Sequence, residues 1–400
     1  MLNMSTSLIP NPKIEQPKFQ WRGFLLDSAR TCFQVDEVKT LLDLLNRYRF
    51  NVLHWHLTDD AGWRFSVPQY PKLETVSSQL PRMDFLHYSN VEQEKAKDCV
   101  RRAETQWHGG GYSDSEIKEI VSYAVSKGIK VMPEVDLPGH MAAAIRAYPE
   151  LGNPIYRDRP QSEWGIENDL LWPSDFATNF IETLFGRVCE LFPDAEYIHL
   201  GGDECKWEKW EADADLMAWC RKQNLSGGSA LQGWFMNIAR RVLHQHGRRA
   251  AVWNEACQTG LDPSDLVVGW EEEGGVQMAQ QSGHPYISAD ANYLYLNRVA
   301  SNEPDEPVGM TNPITLQDLW HLPIPEDDRI LGLQASVWAE YVLDGQELLR
   351  QAFPRLLLVS EKAWCGDNIE WDDLVARMKS ECEYLEGQGV TLSHYTFDTP

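Results

Sequence analysis

Two adjacent acids, Asp203 and Glu204, close the segment YIHLGGDE (197–204). Gly201 and Gly202 let the backbone bend sharply as the apolar run ends, so both side chains can face one cavity. In a regular strand, neighbours would point to opposite faces. Two carboxyls held together do not both ionise freely, so one keeps its proton toward neutral pH and is available as a general acid. Carboxyl pairs that cleave glycosidic bonds by the ordinary retaining route stand roughly 5 Å apart across the sugar, and inverting pairs stand farther apart. Neighbouring residues suit neither layout easily. They suit chemistry in which a substrate's own 2-acetamido oxygen attacks the anomeric carbon. One acid then protonates the leaving oxygen, while the other orients the acetamido N–H and stabilises the cationic intermediate.

A second pattern offers different chemistry. His54 and His56 alternate onto one strand face, and such an HxH pair with later His and Asp can ligate zinc. No second His cluster follows at a later strand end, where His140 alone is well placed. These imidazoles are therefore expected to pack or hydrogen-bond inside the fold, and neither a metal nor an organic cofactor is expected.

The elements that must position these groups alternate along the chain. Residues 34–49 place Val35, Val38, Leu41, Leu42, Leu45 and Tyr48 on one helical face. Ser113 with Glu116 forms a capping box ahead of Ile117, Ile120, Val121, Ala124 and Val125, and Gly128 stops that run. Ser174 caps a third stripe, over 175–192, and Pro193 ends it. Between and beyond these helices lie eight strand candidates: 23–30, 51–58, 129–136, 197–204, 249–255, 266–271, 286–296 and 330–340. Nearly all begin apolar and finish on Asp, Glu, Trp or Tyr. A parallel barrel gathers all its C-terminal strand ends on one face, where active sites sit. A doubly wound sheet gathers them only at a switch point, and no Gly-rich phosphate fingerprint follows the first strand. The expected fold is therefore an α/β (β/α)8 barrel of TIM type, somewhat irregular. Only about a dozen residues join strands five and six, residues 205–248 hold two helical patterns, and 74–112 reads as a long polar loop walling a pocket.

Five motifs appear in order: HWHLTDDAGWR (54–64), HGGGYSDSEIKEIVSYAVSKGIKVMPEVDLPGH (108–140), HLGGDE (199–204), YLN (295–297) and VWAE (337–340). Together they resemble the catalytic domain of the β-N-acetylhexosaminidases of glycoside hydrolase family 20, from about residue 20 to 365. The resemblance implies an exo-acting, retaining enzyme that removes terminal β-linked GlcNAc or GalNAc through an oxazoline-type intermediate. It assigns Glu204 as acid/base and Asp203 as the acetamido-orienting carboxylate. Arg22 matches the arginine gripping the sugar's 3- and 4-hydroxyls, and His140 with Asp59 matches the pair supporting the acid/base from behind. Trp253, Trp270 and Trp338 match the indoles boxing the acetamido methyl. Tyr295 matches the tyrosine that holds the acetamido oxygen, with Tyr293 as the fallback. Asn297 and Glu340 match groups bonding the outer hydroxyls, although many members carry Asp where Asn297 stands. The first strand also departs from the family, with SARTCF where a Ser and then a His usually follow Arg30. A longer pocket releasing a disaccharide uses the same acetamido machinery and would make a lacto-N-biosidase-like variant. A non-catalytic sugar-binding barrel is disfavoured because both acids are present.

The remaining composition bounds the partners. The 400 residues carry a formal net charge of -24, which argues against nucleic acid or an anionic membrane surface and suits a neutral glycan. Sixteen Trp supply flat faces for sugar C–H surfaces as well as for the core. Eight Cys show no CxxC pair and read as dispersed thiols. Residues 1–19 read as an arm and 20–400 as a single catalytic barrel domain without a preceding α+β domain. No secretory signal or membrane span is visible in the sequence, so a cytoplasmic location is expected.

Overall fold

The computed structural model describes residues 7–106, 109–156 and 170–400. Residues 1–6 of the arm and His108 of the HGGG motif lie outside the described residues. Eight parallel strands close a barrel: β1 (Trp21–Asp27), β2 (Val52–His56), β3 (Lys130–Glu134), β4 (Tyr197–His199), β5 (Arg249–Trp253), β6 (Leu266–Gly269), β7 (Tyr286–Ser288) and β8 (Ile330–Val337). Each strand pairs with its chain neighbour, and β8 closes on β1 with Trp21 beside Gly332 and Leu26 beside Val337. All eight strand candidates are barrel strands.

Alternation along the strands divides the apolar residues in two. Leu25, Val52, Met132, Ala251, Trp253, Val268 and Ile287 cluster together, filling the barrel. Phe24, Leu26, Leu53, Trp55, Val252 and Val267 join a larger core with the surrounding helices. The principal helices are α1 (Val35–Arg47), α2 (Gln93–Gln106), α3 (Asp114–Ser126), α4 (Asp175–Leu191), α5 (Gly227–Gln245), α6 (Gly275–Gln281), α7 (Gly345–Ala352), α8 (Arg355–Cys365) and α9 (Trp371–Gly387). The α1 stripe buries Val38, Leu41, Leu42, Leu44 and Leu45, each contributing roughly 1.5–3 kcal/mol when fully withdrawn from water. The box at α3 forms as its sequence suggests, with the Ser113 N–H donating to Glu116 Oε2 at 2.8 Å and the Glu116 N–H donating to Ser113 Oγ at 3.3 Å. Ser174 Oγ accepts from the Ala177 N–H at 3.0 Å to start α4.

The irregularities fall in the connections. Only a 3-10 helix, Asn254–Thr259, joins β5 to β6. Residues 205–248 hold α5 and two shorter helices, Glu208–Glu211 and Ala214–Lys222. The 74–112 stretch is not loop throughout, because α2 occupies 14 of its residues and buries Ala96, Cys99 and Ala103. Those three small apolar side chains among many charges made too narrow a stripe to read as a helix. Arg82 pins this excursion to the strand ends, donating to the carbonyls of Arg30 at 2.8 Å and Glu340 at 2.7 Å.

The strand read over 286–296 stops at Ser288, and the chain turns through Asp290–Leu294. The buried Arg355 tethers the segment after this turn by donating to the carbonyls of Leu296 at 2.7 Å and Arg298 at 2.9 Å. At the opposite end of the barrel, the arm is tied to the C-terminal helices. The Leu8 N–H donates to Glu381 Oε1 at 2.7 Å, and Trp364 Nε1 donates to the Ile14 carbonyl at 2.9 Å. The eight cysteines are all free. Among the described residues, no helix is long and apolar enough to cross a membrane.

Candidate active site

Register builds the floor of the site. Parallel pairing sets Asp27 beside His56, His56 beside Glu134 and Glu134 beside His199, so four polar side chains meet at one level near the strand ends. All four are buried. Glu134 is their hub. Its Oε2 meets His56 Nδ1 at 2.5 Å and His54 Nε2 at 3.1 Å; its Oε1 meets His199 Nδ1 and the Trp253 indole N–H, both at 2.8 Å. Burial opposes charge on both His56 and His54. Glu134 and Asp59 outweigh it at His56, which is pushed up to about 10, whereas burial prevails at His54, pushed down to about 4. The HxH pair therefore hydrogen-bonds inside the barrel. His54, Glu134 and His199 do bring ligand-type atoms within 4.8 Å of one another, as do Asp59–Asp60–His140 and Asp136–His140–Asp203. Glu134 is already engaged by three imidazoles and an indole.

Above this floor lies a cavity of about 160 Å³. The GGDE turn delivers both acids to it. Gly201 and Gly202 take φ of 67° and 93°. A Cβ on Gly201 would stand 1.7 Å from Asp136 Oδ1, and one on Gly202 would stand 2.9 Å from Met236 Cε. Glycine is thus required for the left-handed turn and for the close approach. Asp203 and Glu204 both line the cavity, and both face His140 Nε2, at 3.8 Å and 3.4 Å from their nearer oxygens. Asp203 is buried, while the Glu204 side chain stands 59% exposed at the mouth. Behind His140, its Nδ1 faces Asp59 Oδ1 at 3.4 Å. Asp59 in turn takes His56 Nε2 and the Arg30 guanidinium, each at 2.9 Å.

The charges follow from these contacts. Burial opposes the His140 cation, but Asp59 and Glu204 together hold it well above the ordinary imidazole range. Burial likewise opposes the Asp59 anion, and Arg30, His140 and His56 reverse that and hold it well below the carboxylate range. The hydrogen bond and charge of His140 lower Glu204 against a smaller burial effect, whereas burial, with Glu134 and Glu204, raises Asp203. Of the two neighbours, the exposed acid thus ionises the more readily, and between Glu204 and His140 the proton resides on His140. Burial, Asp27 and Asp59 push Glu340 up to about 7, although Arg30 opposes this.

Aromatic rings form one wall. Trp270 and Tyr295 stack with ring centroids 5.7 Å apart and planes 8° apart, and Trp338 lies 6.1 Å from Tyr295. Trp270 is held by its indole N–H, which donates to Glu255 Oε2 at 2.9 Å.

Residues 19–367 match the family model for the glycosyl hydrolase family 20 catalytic domain. The chain belongs to glycosyl hydrolase family 20. It is 32% identical to a β-hexosaminidase of Porphyromonas gingivalis over 96% of this chain and 48% of that protein. It is 30% identical to one of Vibrio furnissii over 87% of this chain and 57% of that protein. The chain thus spans about half the length of these curated relatives. Among solved structures, it resembles the family 20 exo-β-N-acetylglucosaminidase of Vibrio harveyi in complex with N-acetylglucosamine, at a TM-score of 0.80 and 28% identity, covering 94% of this chain and 59% of that one. It also resembles the β-N-acetylhexosaminidase of Bacteroides fragilis, at 0.78 and 28%, covering 96% and 74%.

Within this family 20 domain, most of the residues singled out from the sequence meet at the cavity. Asp59, His140, Asp203, Glu204, Trp270, Tyr295, Asn297, Trp338 and Glu340 line it. Trp253 does not. It is buried beneath, 6.1 Å from the Trp338 ring, with its N–H on Glu134. Tyr293 packs on the outer core, because the strand that would have set it beside Tyr295 ends before either. Arg22 requires correction. It lies at the N-terminal end of β1, donates to the carbonyls of Arg49 at 2.6 Å and Phe19 at 2.7 Å, and stacks on Trp364. The arginine that this strand brings to the cavity is Arg30, just past its other end, bound to Asp59 and 5.3 Å from the Trp338 ring. Its signal was present, since active-site groups follow C-terminal strand ends and Arg22 stands at the start of its strand. Asp136, just past the end of β3, carried the same signal. Tyr88, Asn90, Glu272, Arg298 and Met310 also line the cavity from long connections, where nothing in the sequence ties them to the acids.

Proposed function

We propose that this chain is an exo-acting, retaining β-N-acetylhexosaminidase working by substrate assistance. The observation that carries the reading is the convergence of Asp203 and Glu204 on one imidazole beside an indole-lined recess. A terminal GlcNAc or GalNAc enters with its 2-acetamido group against Trp270, Trp338 and Tyr295. Asp203 accepts the acetamido N–H and so aims the carbonyl oxygen at the anomeric carbon. As the C1–O bond of the leaving group breaks, Glu204 delivers a proton to the departing oxygen, and the acetamido oxygen bonds to C1. Glu204 then takes a proton from water, which attacks C1 and opens the oxazoline with net retention. Substrate covers the exposed Glu204 carboxylate, and this loss of water favours its protonated form. His140 stands 3.4 Å away as the proton's source. Arg30 and Glu340 bond the ring hydroxyls opposite the acetamido group, and Asn297 bonds an outer hydroxyl. Substrates are glycans or oligosaccharides ending in N-acetylhexosamine.

Chromogenic N-acetyl-β-glucosaminide and N-acetyl-β-galactosaminide, set against the plain β-glucoside, test the reading. Turnover confined to acetamido-bearing sugars, with the β-anomer appearing first by NMR, is expected. Equal turnover of the plain glucoside overturns substrate assistance. Asp203→Asn is expected to lose both turnover and affinity for an oxazoline mimic, and unchanged affinity removes Asp203 from the orienting role.

A further inference from the structure

We infer that Asp136 keeps a proton in the resting site and donates it to Asp203, making Asp136 a positioning residue for the carboxylate that orients the acetamido group. The inference deepens the proposed function and rests on it for the role of Asp203, though not for the proton itself.

Asp136 follows β3 and is 1% exposed. Its Oδ1 accepts the Gly202 N–H at 3.0 Å, in the space a side chain on Gly201 would fill. Its Oδ2 has no hydrogen-bond partner, and neither has Asp203 Oδ1, although both atoms are buried. Asp136, His140 and Asp203 present ligand-type oxygens and nitrogen within 4.8 Å of one another. The two carboxyls are within side-chain hydrogen-bonding reach of each other; two buried carboxylates so close without a donor repel, and in such pairs one carboxyl keeps its proton. A single proton between them satisfies both orphan oxygens at once.

The proton belongs on Asp136. His140 Nε2 lies 3.8 Å from Asp203 Oδ2, too long for a hydrogen bond but close enough for the cation to favour an anion there. Asp136 is also the more deeply buried, at 1% against 8% for Asp203, so ionising it costs more. Consistently, burial and the Asp203 charge push Asp136 well above the carboxylate range. The consequence for chemistry is geometric. With Oδ1 anchored by a donated hydrogen bond, Asp203 stays anionic and offers Oδ2 in a fixed direction.

Infrared difference spectroscopy of the substrate-free chain, wild type minus Asp136→Asn, reads the proton directly. Loss of a protonated-carboxyl C=O band in the variant is expected. A difference containing carboxylate bands alone overturns the inference, whatever the enzyme's activity. If the Asn variant does not fold, 13C-labelled aspartate in the wild type replaces it. One buried Asp carboxyl carbon at the protonated shift at pH 7 supports the inference, and none refutes it. Turnover then tests positioning. Asp136→Asn retains a donor at the same place and is expected to keep kcat within about tenfold, while Asp136→Ala drops a further roughly ten- to hundredfold, the worth of one hydrogen bond to a charged group. Equal losses in two folded variants refute the donor role. Because the spectrum needs no substrate, failure of the proton and failure of the hexosaminidase reading are distinguishable.

Discussion

Arg30 and Arg22 sit at opposite ends of one strand, and their substitution separates catalysis from scaffold. Arg30 holds Asp59 at 2.9 Å and Asp27 at 3.5 Å, and it is 9% exposed. Removing one partner of such a buried network costs about 3–5 kcal/mol, because the remaining charges lose their compensation. Arg30→Ala is therefore expected to lose that much stability by chemical denaturation. In the proposed complex, Arg30 also makes two hydrogen bonds to sugar hydroxyls, each about 1.5–3 kcal/mol for a charged donor. At about 1.36 kcal/mol per decade, their loss lowers kcat/KM by roughly two to four orders of magnitude. Arg30→Lys guards against simple unfolding. It keeps a cation opposite Asp59 but lacks the planar fork, so it is expected to fold and still to lose roughly ten- to a hundredfold in kcat/KM. Arg22→Ala gives up carbonyl bonds at the barrel base and its stacking on Trp364, for a stability loss of about 1–3 kcal/mol and unchanged kcat/KM. The assay is chromogenic N-acetyl-β-glucosaminide turnover beside urea denaturation of all three variants. Wild-type kcat/KM in Arg30→Lys, together with a hundredfold loss in Arg22→Ala, refutes the placement of the sugar.

Glu204→Gln is expected to cut kcat by roughly two to four orders of magnitude, the usual contribution of a general acid/base, and near-wild-type turnover reassigns the acid. His140→Asn is expected to move the alkaline limb of kcat/KM to lower pH. His140 holds the pair's proton above the ordinary imidazole value of 6.5, and without its charge Glu204 must hold it near the carboxylate range; an unmoved limb excludes His140 as the proton's source. The same raised value stabilises the fold fully below pH 6.5, a contribution lost as pH rises through the folded-state value. The fall in melting temperature on the alkaline side is therefore expected to be shallower in His140→Asn than in wild type. Gly201→Ala places a Cβ 1.7 Å from Asp136 Oδ1 at a φ of 67°. It is expected to lower both melting temperature and kcat, the left-handed backbone alone costing about 1–3 kcal/mol; wild-type values for both would show that Asp136 has room to move.

The parts of this site that were legible in the sequence are those governed by local rules. Apolar runs ending in polar residues located all eight strands, because parallel barrel strands are buried on both sides until they reach the mouth. Gly201 and Gly202 marked the bend at the acids, because glycine takes a left-handed φ without strain and a side chain on Gly201 would meet the Asp136 carboxyl. The failures came where position depends on contacts between distant segments. Tyr88 and Asn90 reach the cavity because Arg82 anchors their excursion to carbonyls more than fifty residues away. The relative ionisation of Asp203 and Glu204 was also out of reach, since it turns on Asp136 and His140 and on which acid remains exposed. Arg22 was a different error. Its location followed from the strand rule already in use, and matching by motif overrode that rule.

Barrel register links these observations. Pairing Asp27, His56, Glu134 and His199 level across four adjacent strands gathers more buried polar groups than an apolar interior tolerates without mutual compensation. The compensation runs outward as alternating charge, from Glu134 to His56, then Asp59, then Arg30 and His140. It ends at Glu204, a carboxylate that water still reaches. A charge placed at the end of such a chain is held by fixed neighbours on one side only. In the proposed reaction, covering its other side with a sugar raises its proton affinity, and general acid catalysis by Glu204 requires that change.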